Sequence, residues 1–508
     1  MFTYIIANIR QFRLIYFHIG YDYFHILRIF LCCLAYFQPH LLKMKKIFIF
    51  ETDICPSKGE NNKLTGAEEE YRMRRIFSII ALLFLAGSME AQEKIEEKTN
   101  AFTLDAQLMS RGEVRQGGLP GDTEEKDENR SAFISNRARI SLGYEREHLA
   151  INVAVQHQGV WGAEGGGSLN LYEAWAKFHA ENGLFATIGR QKLAYDDERI
   201  LGSNDWAMAA LYHDALKLGY EHGRHKLHGI VAYNQNGKNV NGGTFYQNGS
   251  QPYKSMETAW YHYDFKKLPL GVSVLFMNIG MQTGTPDEYS TTFQQLLGGY
   301  LNFKPGKLSL EAAYYRQMGK ASIDYTSQTT VPLRAWMASV KATYPLDGKL
   351  SGYAGYDYLS GDEEFMLPDP GFIGTRQHNR ITAFTSVFGS SHKFYGAMDF
   401  FYVSAYYHTF SPGLQNIFAG AEYKPGGKLS YEASYHFLST SVDINGFSRD
   451  LGHEVELRAQ YQLMKDAKLT LGFSYMRGSE TMVALKRSTD KRQLSWGWIM
   501  LNITPRIF

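Results

Sequence analysis

Apolar and polar residues alternate along much of the chain after residue 100. In residues 149–158, one parity carries Leu149, Ile151, Val153 and Val155, and the other carries Asn152, Gln156 and Gln158. Residues 102–115, 134–144 and 453–463 repeat this pattern, with their charged side chains mostly on one parity. A period of two predicts β-strands with one apolar and one polar face. Such strands form either a soluble sheet or a membrane barrel with lipid-facing and lumen-facing parities.

Short polar links between the alternating runs predict tight turns. There are eight, and most contain Gly, Pro, Lys or Asp: 145–148, 181–183, 222–224, 266–268, 304–306, 346–348, 424–427 and 465–467. Eight hairpins supply sixteen strands, and one more at each end makes eighteen; the long interval between the sixth and seventh turns leaves twenty open. An even number places both termini at one end of a closed barrel, the periplasmic end in bacterial proteins. We predict an all-β, antiparallel, up-and-down transmembrane barrel with a long outer loop at about 360–412.

A secretory signal peptide is predicted at residues 73–91. Arg74 and Arg75 form its basic start, residues 76–86 are apolar, and small residues lead to a cleavage site before Gln92. An internal hydrophobic helix is the alternative, although the run is too short to cross a bilayer. The predicted mature chain is therefore 92–508.

Residues 1–72 fit neither a strand nor a helix pattern, and they precede a signal that normally begins a chain. We interpret this extension as translated upstream sequence from a misassigned start codon; a poor membrane helix is the alternative. All three cysteines lie within the first 55 residues. The mature chain therefore has neither a disulfide nor a cysteine-ligated metal site.

Composition favours the membrane barrel over the soluble sheet. The chain is 44% hydrophobic and 14% aromatic, and its formal net charge is only +2. The charge balance argues against a nucleic-acid partner, and a mean hydropathy of −0.31 argues against a helical membrane bundle. Aromatic girdles are typical of barrels in outer-membrane lipid, so we predict the outer membrane of a Gram-negative cell.

A barrel of this size predicts transport, because 16–18 strands leave a water channel unless it is plugged. The chain lacks GxSxG and HExxH, and its 16 His are scattered. We expect no enzyme activity, no metal and no cofactor. The paired carboxylates Glu454 and Glu456 are interpreted as lumen charges rather than as an acid–base pair.

Charged residues of lumen parity form two sets. The cations are Arg111, Arg115, Arg137, Arg139, Lys177, Lys217, Lys341 and Arg458, and the acids include Asp105, Glu113, Glu173, Glu311, Glu432, Glu454 and Glu456. The arc of arginines on the first two strands suggests an electropositive path for anionic solutes. Ion pairs that only stabilise the wall are an equally good reading.

The segment from Gly189 to Gly202, GRQKLAYDDERILG, followed by Asn204-Asp205-Trp206, resembles the alginate export family of outer-membrane porins. Leu171-Tyr172-Glu173-Ala174-Trp175, Ser360-Gly361-Asp362, His392-Lys393-Phe394-Tyr395-Gly396 with Asp399, and 451–457 also look like family segments. The resemblance implies an eighteen-stranded barrel with an Arg-lined lumen that loops narrow. It also implies that an anionic polysaccharide passes outward.

The same segment supplies candidate site residues. Arg190 and Arg199 can bind carboxylates bidentately, and Asp196, Asp197 and Glu198 can hold those guanidinium groups or the loop backbone. Asp205 and Trp206, with Glu173, complete a set expected to order a constriction. Loop architecture without cargo contact is an equal alternative. Strict alternation places Arg190 on the lipid parity, so facing the lumen requires a β-bulge or a lipid-facing Phe185.

We therefore predict a channel for anionic solutes, most specifically uronate-like polysaccharides or oligosaccharides. A general diffusion porin is the main alternative, and an adhesion barrel or a barrel enzyme are others. The expected partners are outer-membrane lipid and the outer-membrane assembly machinery, which reads a terminal aromatic such as Phe508.

Overall fold

The computed structural model describes residues 100–116, 130–235, 245–246, 251–322, 328–363, 379–399, 401, 411–486 and 493–508. The predicted extension 1–72 and signal peptide 73–91 lie outside the described residues and remain predictions.

Eighteen β-strands form almost all of the regular structure. They are β1 (Ala101–Gln116), β2 (Arg130–Arg146), β3 (Leu149–Val160), β4 (Ser168–His179), β5 (Leu184–Gln191), β6 (His213–His222), β7 (His225–Tyr233), β8 (Ser255–Asp264), β9 (Leu270–Gly284), β10 (Tyr289–Phe303), β11 (Ser309–Ser322), β12 (Thr330–Pro345), β13 (Leu350–Leu359), β14 (Leu414–Gly426), β15 (Leu429–Ser439), β16 (Asp450–Met464), β17 (Ala467–Gly478) and β18 (Gln493–Ile503). Each strand pairs antiparallel with its neighbours in sequence.

The sheet closes on itself through β1 and β18. Their register runs from Leu108 opposite Ile503 to Gln116 opposite Ser495. The tail beyond β18 extends this seam, since the Leu104 N–H donates to the Phe508 carbonyl (3.0 Å) and the Ile507 N–H donates to the Leu104 carbonyl (2.7 Å). Closure leaves no free sheet edge, as a membrane-spanning sheet requires. The predicted eighteen-stranded closed barrel is confirmed.

All eight predicted turns join consecutive strands at one end of the barrel, which we call the short-turn end. The start of β1 and the C-terminal tail lie at the same end. The opposite end carries the longer connections and is called the long-loop end. Strand β13 pairs directly with β14, and the described residues between them contain no further strand.

The two parities of the wall differ in exposure as the alternation predicts. Apolar side chains of the outward parity are exposed, among them Ile140, Leu142, Val153, Ile188, Ile417, Leu457 and Leu471. Because lipid covers this surface in a membrane, the exposed apolar belt fits a transmembrane wall.

Two connections from the long-loop end fold back into the barrel. The first inner loop (residues 192–212) follows β5, and the second inner loop (residues 379–399) precedes β14. They meet where Leu201 forms a parallel bridge with Phe388. The Gly202 N–H donates to the Phe388 carbonyl (2.9 Å), and the Phe388 N–H donates to the Ile200 carbonyl (3.1 Å). The predicted outer loop at 360–412 thus contains an inward-folded part.

The hydrophobic core lies inside the barrel, between the inner loops and the wall. Leu193, Leu201 and Phe388 are buried against a wall set that includes Met256, Met277, Tyr315 and Met337. Full burial of such a side chain contributes about 1.5–3 kcal/mol. The loops are therefore packed parts of the fold and narrow the lumen.

One short helix, α1 (Glu480–Lys486), follows β17 at the long-loop end. Met482 on this helix is fully buried, and Leu485 is nearly so. Among the described helices, none is both long and apolar enough to cross a membrane.

Candidate functional site: the lumen and its inner loops

The arginines of β1 and β2 hold the first inner loop against the wall. Arg137 is completely buried, and its Nη1 donates to the carbonyls of Asp205 (3.1 Å) and Ala207 (3.0 Å). Arg111 Nη1 donates to the Trp206 carbonyl (3.1 Å). Gln156 of β3 donates to the carbonyls of Met208 (3.1 Å) and Ala209 (3.0 Å). Five consecutive carbonyls thus accept hydrogen bonds from wall side chains.

The Asp205 carboxylate strengthens this attachment. Its Oδ1 lies 3.2 Å from Arg137 Nη2 and 3.1 Å from Arg139 Nη2. Arg139 also donates to Gln156 Oε1 from Nε (2.9 Å) and from Nη2 (2.6 Å). Its guanidinium carbon lies 3.7 Å from the Tyr172 ring centroid. These arginines are therefore occupied by protein groups.

Arg115 is occupied in a similar way. Its Nη2 lies 2.8 Å from Glu113, which also binds Arg111 (2.8 Å) and accepts from Trp496 Nε1 (3.0 Å). Trp206 completes this region: it stacks on His392 of the second inner loop at 4.1 Å between centroids and lies under the Arg111 guanidinium at 4.4 Å.

Arg199 joins both inner loops to the far wall. It contacts Asp197 (3.1 Å) in its own loop and Tyr395 Oη (3.0 Å) in the second inner loop. On the wall it reaches Ser339 Oγ (3.0 Å) and Asp357 (3.1 Å). Burial opposes the charged form, but the surrounding acceptors keep the pKa of Arg199 well above its ordinary value. All of these contacts of the Arg199 guanidinium are with protein groups.

Glu198 forms a second link between the inner loops. Its carboxylate pairs with Lys393 and accepts from Ser390 Oγ (2.9 Å) and from the Ser203 backbone N–H (2.9 Å). Burial would raise the pKa of Glu198, but these donors outweigh it and lower the pKa to about 2. The adjacent Asp196 accepts from Trp260 Nε1 (3.2 Å), and burial raises its pKa.

Acids of the wall hold the second inner loop. Glu454 is completely buried, and its Oε1 accepts the Met398 N–H (2.9 Å). Gly396 passes so close that a Cβ there would collide with the Glu454 carboxylate. Asp362, just after β13, accepts the N–H groups of Thr382 (2.6 Å) and Ser411 (3.0 Å).

The remaining acids of the predicted set also have protein partners. Glu456 accepts from Ser434 Oγ (3.2 Å), and Arg458 pairs with Glu432. Glu173 accepts from Asn152 Nδ2 (3.2 Å).

The pairing places Arg190 on the outward parity, in contrast to the expected lumen position. In the antiparallel pairing of β5 with β6, Arg190 lies opposite Asp214. Thr187, which has the other parity, lies opposite the lumen residues Lys177 and Lys217. Arg190 binds Asp214 bidentately at 2.8 Å for both contacts. Each residue of β5 near Arg190 has a single partner on β4 and on β6, so no β-bulge turns the Arg190 side chain inward. Phe185 is buried rather than lipid-facing.

Lumen lysines differ from the arginines. Lys177 of β4 and Lys217 of β6 flank Thr187 in one row across three strands. Their ammonium groups lie 4.5 and 5.9 Å from the ring centroid of Phe185. Lys341 lies similarly over Tyr353 (4.8 Å). Within the described residues, none of these lysines forms an ion pair with a carboxylate.

Sequence reasoning missed the wall acceptors Ser339 and Asp357, because nothing in strand alternation says which lumen residue a distant loop will reach. It also assigned Arg111, Arg137 and Arg139 to a solute path, whereas Arg111 and Arg137 donate to loop carbonyls and Arg139 binds the Gln156 side chain and the Asp205 carboxylate. The described residues contain no cluster of His, Cys, Asp or Glu placed to hold a metal ion.

Solved structures of outer-membrane channels share this fold. OccAB1 of Acinetobacter baumannii superposes with a TM-score of 0.53 at 14% identity, over 80% of this chain and 97% of that one. OccK2 (OpdF) of Pseudomonas aeruginosa gives 0.53 at 12% identity, over 81% and 100%. OccK2 in complex with glucuronate gives 0.51 at 12% identity, over 80% and 98%.

Sequence comparison identifies the family. Among curated protein sequences no significant match is found. The alginate export family model matches residues 166–492, which include both inner loops and most of the wall. The family and the fold are those of export channels and porins of the outer membrane. With its closed eighteen-stranded wall and loop-narrowed lumen, this chain belongs to the alginate export family.

Proposed function

We propose that the chain passes anionic solutes, specifically uronate-like polysaccharides or oligosaccharides, across the outer membrane. The single observation that carries the proposal is the Lys177–Lys217 row, whose ammonium groups have no carboxylate partner among the described residues. Solute selection then rests on these lysines and not on the arginines.

The chemistry of the row suits a sugar acid. Strands β4 and β6 are two spacings apart, so their backbones lie roughly 10 Å from each other. Both ammonium groups lie near the buried Phe185 ring, at 4.5 and 5.9 Å from its centroid. Lysine is a mobile point charge, whereas arginine fixes a partner in a rigid fork. A row of lysines therefore attracts a carboxylate without trapping a passing chain.

A glucuronate complex of the structurally similar OccK2 supports a sugar-acid cargo. It shows that a barrel of this fold accommodates a uronate. We further propose that this chain acts as a conduit and not as an enzyme, and that assembly machinery recognises its C-terminal aromatic residue.

Planar-bilayer recording tests the proposal. A short oligogalacturonate should block the wild-type current, and a neutral maltooligosaccharide of equal length should not. Replacing both lysines (K177Q/K217Q) should weaken the block about tenfold, because two attractive charges are removed from the path. The matched control, R316Q/K320Q, removes two exposed cations from the outward parity of β11 and should leave the block unchanged.

Two outcomes contradict the proposal. Equal block by the acidic and the neutral oligomer would indicate a general diffusion porin. A block that persists in K177Q/K217Q would place solute selection elsewhere in the lumen.

A further inference from the structure

Lysines are concentrated in one sector of the short-turn end. Five successive turns of this end, from the β8–β9 turn to the β16–β17 turn, each carry at least one exposed lysine. These are Lys266, Lys267, Lys304, Lys307, Lys349, Lys424, Lys428 and Lys465. We call this set the lysine sector.

Acidic residues offset this charge only in part: beside the eight lysines the sector contains Asp264, Asp347, Glu422 and Asp466. Asp347 directs its carboxylate to the backbone N–H groups of Lys349 (2.6 Å) and Leu350 (2.7 Å), so it is used by its own turn. Glu422 pairs with Lys424 (2.9 Å). The other lysines of the sector form no ion pair within the described part of the chain.

The remaining short turns are different. The three turns between β2 and β7 mix Arg146, Arg224 and Lys226 with acids at Glu145, Glu147, Glu181 and Glu221. The rim of the barrel therefore has a strongly basic sector over β8–β17 and a mixed sector over β2–β7.

We infer that the lysine sector is a capture surface for a polyanion at the short-turn mouth of the channel. This inference rests on the proposed function, because it supplies the step before the solute reaches Lys177 and Lys217. Clustered charge beside a low-dielectric opening raises the local concentration of an opposite charge and increases association rates by 10- to 1,000-fold. A long acidic chain is the ligand that gains most, since it contacts several turns at once.

Lipid headgroups are the competing source of negative charge, and the distribution of the lysines argues against them. Lipid surrounds the barrel on every side, so an anchoring role would place basic residues around the whole rim. The exposed turn lysines are instead concentrated in the five turns from β8–β9 to β16–β17, whereas the three turns between β2 and β7 carry Lys226 alone.

One-sided addition of the blocking solute tests the inference. A single cysteine at Gly165, in the exposed β3–β4 loop at the long-loop end, marks channel orientation through a membrane-impermeant thiol reagent; the chain has no cysteine after residue 55. Oligogalacturonate is then added to one side of oriented channels. At low salt the wild-type blocking rate should be at least tenfold higher from the short-turn side, and high salt should abolish this difference.

The test variant carries Lys267, Lys304, Lys307, Lys349 and Lys465 replaced by Gln, one to two in each of four turns. We expect its short-turn blocking rate to fall about tenfold, with the long-loop rate and the dissociation rate unchanged. The matched control replaces Arg146, Arg224 and Lys226 of the mixed sector and should retain at least half of the wild-type rate.

Each further outcome has a distinct meaning. An unchanged short-turn rate in the test variant would overturn the inference while leaving the proposed function intact. A variant that inserts less well into bilayers containing phosphatidylglycerol, with an unchanged blocking rate, would assign the lysines to lipid headgroups and also overturn it. Absence of block from either side in the wild type would defeat the proposed function itself.

Discussion

Arginines and lysines of the lumen have separate roles that follow from their side-chain chemistry. Arg199 donates to acceptors from both inner loops and two wall strands. A planar guanidinium with five donors suits this fixed multiple contact, whereas an ammonium group does not. Lys177, Lys217 and Lys341 instead lie near aromatic rings and form no ion pair with a carboxylate among the described residues.

Glu198 gives a prediction about pH. Its folded-state pKa of about 2 lies below the ordinary value of 4.5, so its ionised form stabilises the docked loops. That contribution is fully present above about pH 4.5 and is lost as pH falls toward 2. We expect the Glu198 link to contribute equally from pH 5 to 8, because its folded and ordinary pKa values both lie below this range, and the unit conductance to become noisy as pH falls below about 4.

The E198Q variant isolates this carboxylate from other acids. It should show noisier current at neutral pH, because Lys393 loses its ion partner, and a smaller change on acidification than the wild type. Single-channel recording across the pH range measures both. Identical pH profiles for the two proteins would exclude Glu198 as the titrating link.

At the scale of elements, the inner loops are held by opposite charges on different parts of the wall. Arginines of β1 and β2 bind carbonyls of the first inner loop, and Glu454 of β16 binds an N–H of the second. A backbone carries both partial charges, so a cationic wall and an acidic wall can each anchor a loop. Attachment of the inner loops thus explains why the lumen carries both cations and acids, alongside the proposed transport.

Arg137 is completely buried, and its removal should release the first inner loop. The R137Q variant leaves the Asp205 and Ala207 carbonyls with fewer donors, at a cost of about 1–3 kcal/mol for an acceptor left unpaired, while the half-exposed Asp205 carboxylate keeps Arg139 as a partner. We expect larger and more variable unit conductance, together with faster proteolysis within residues 192–212.

The R190Q variant is the matched control for this change. Arg190 also pairs with an aspartate, but it lies on the outward parity and does not hold the first inner loop carbonyls at 205–209. Its conductance should stay near the wild-type value. Equal effects of the two variants would show that Arg137 has no special part in anchoring the loop.

At the scale of the whole molecule, closure depends on a seam between the two ends of the chain. Beyond Ile503 the tail continues to pair with β1, including a hydrogen bond from the Ala106 N–H to the Pro505 carbonyl (3.1 Å) and the Asp105–Arg506 ion pair (3.1 Å). Pro505 lacks an N–H but serves here as an acceptor, which explains how a proline is tolerated at the seam.

Deleting residues 504–508 should weaken closure. The Leu104 and Ala106 backbone groups lose their partners on the β18 side, so we expect unfolding at a lower temperature in a heat-modifiability gel and a smaller folded fraction. The F508L variant retains the backbone pairing and removes only the aromatic ring. If F508L folds normally in vitro but assembles poorly in cells, the ring serves recognition; equal loss in both assays would assign it to stability.

Alternation and turn chemistry by themselves determined the barrel: eighteen strands, eight tight turns, one apolar face and one polar face. These are local properties, because strand period and turn residues are set by neighbours in the chain. The tertiary structure alone decided what the lumen charges do. Arg199 meets Tyr395 across nearly 200 positions, and Arg137 meets Asp205 across 68. Such contacts depend on how two loops fold back into a closed wall, and no local pattern encodes which donor reaches which acceptor. For the same reason the sequence left two interpretations open for the lumen arginines, a solute path and ion pairs, and only the structure shows which protein groups bind Arg137 and Arg199.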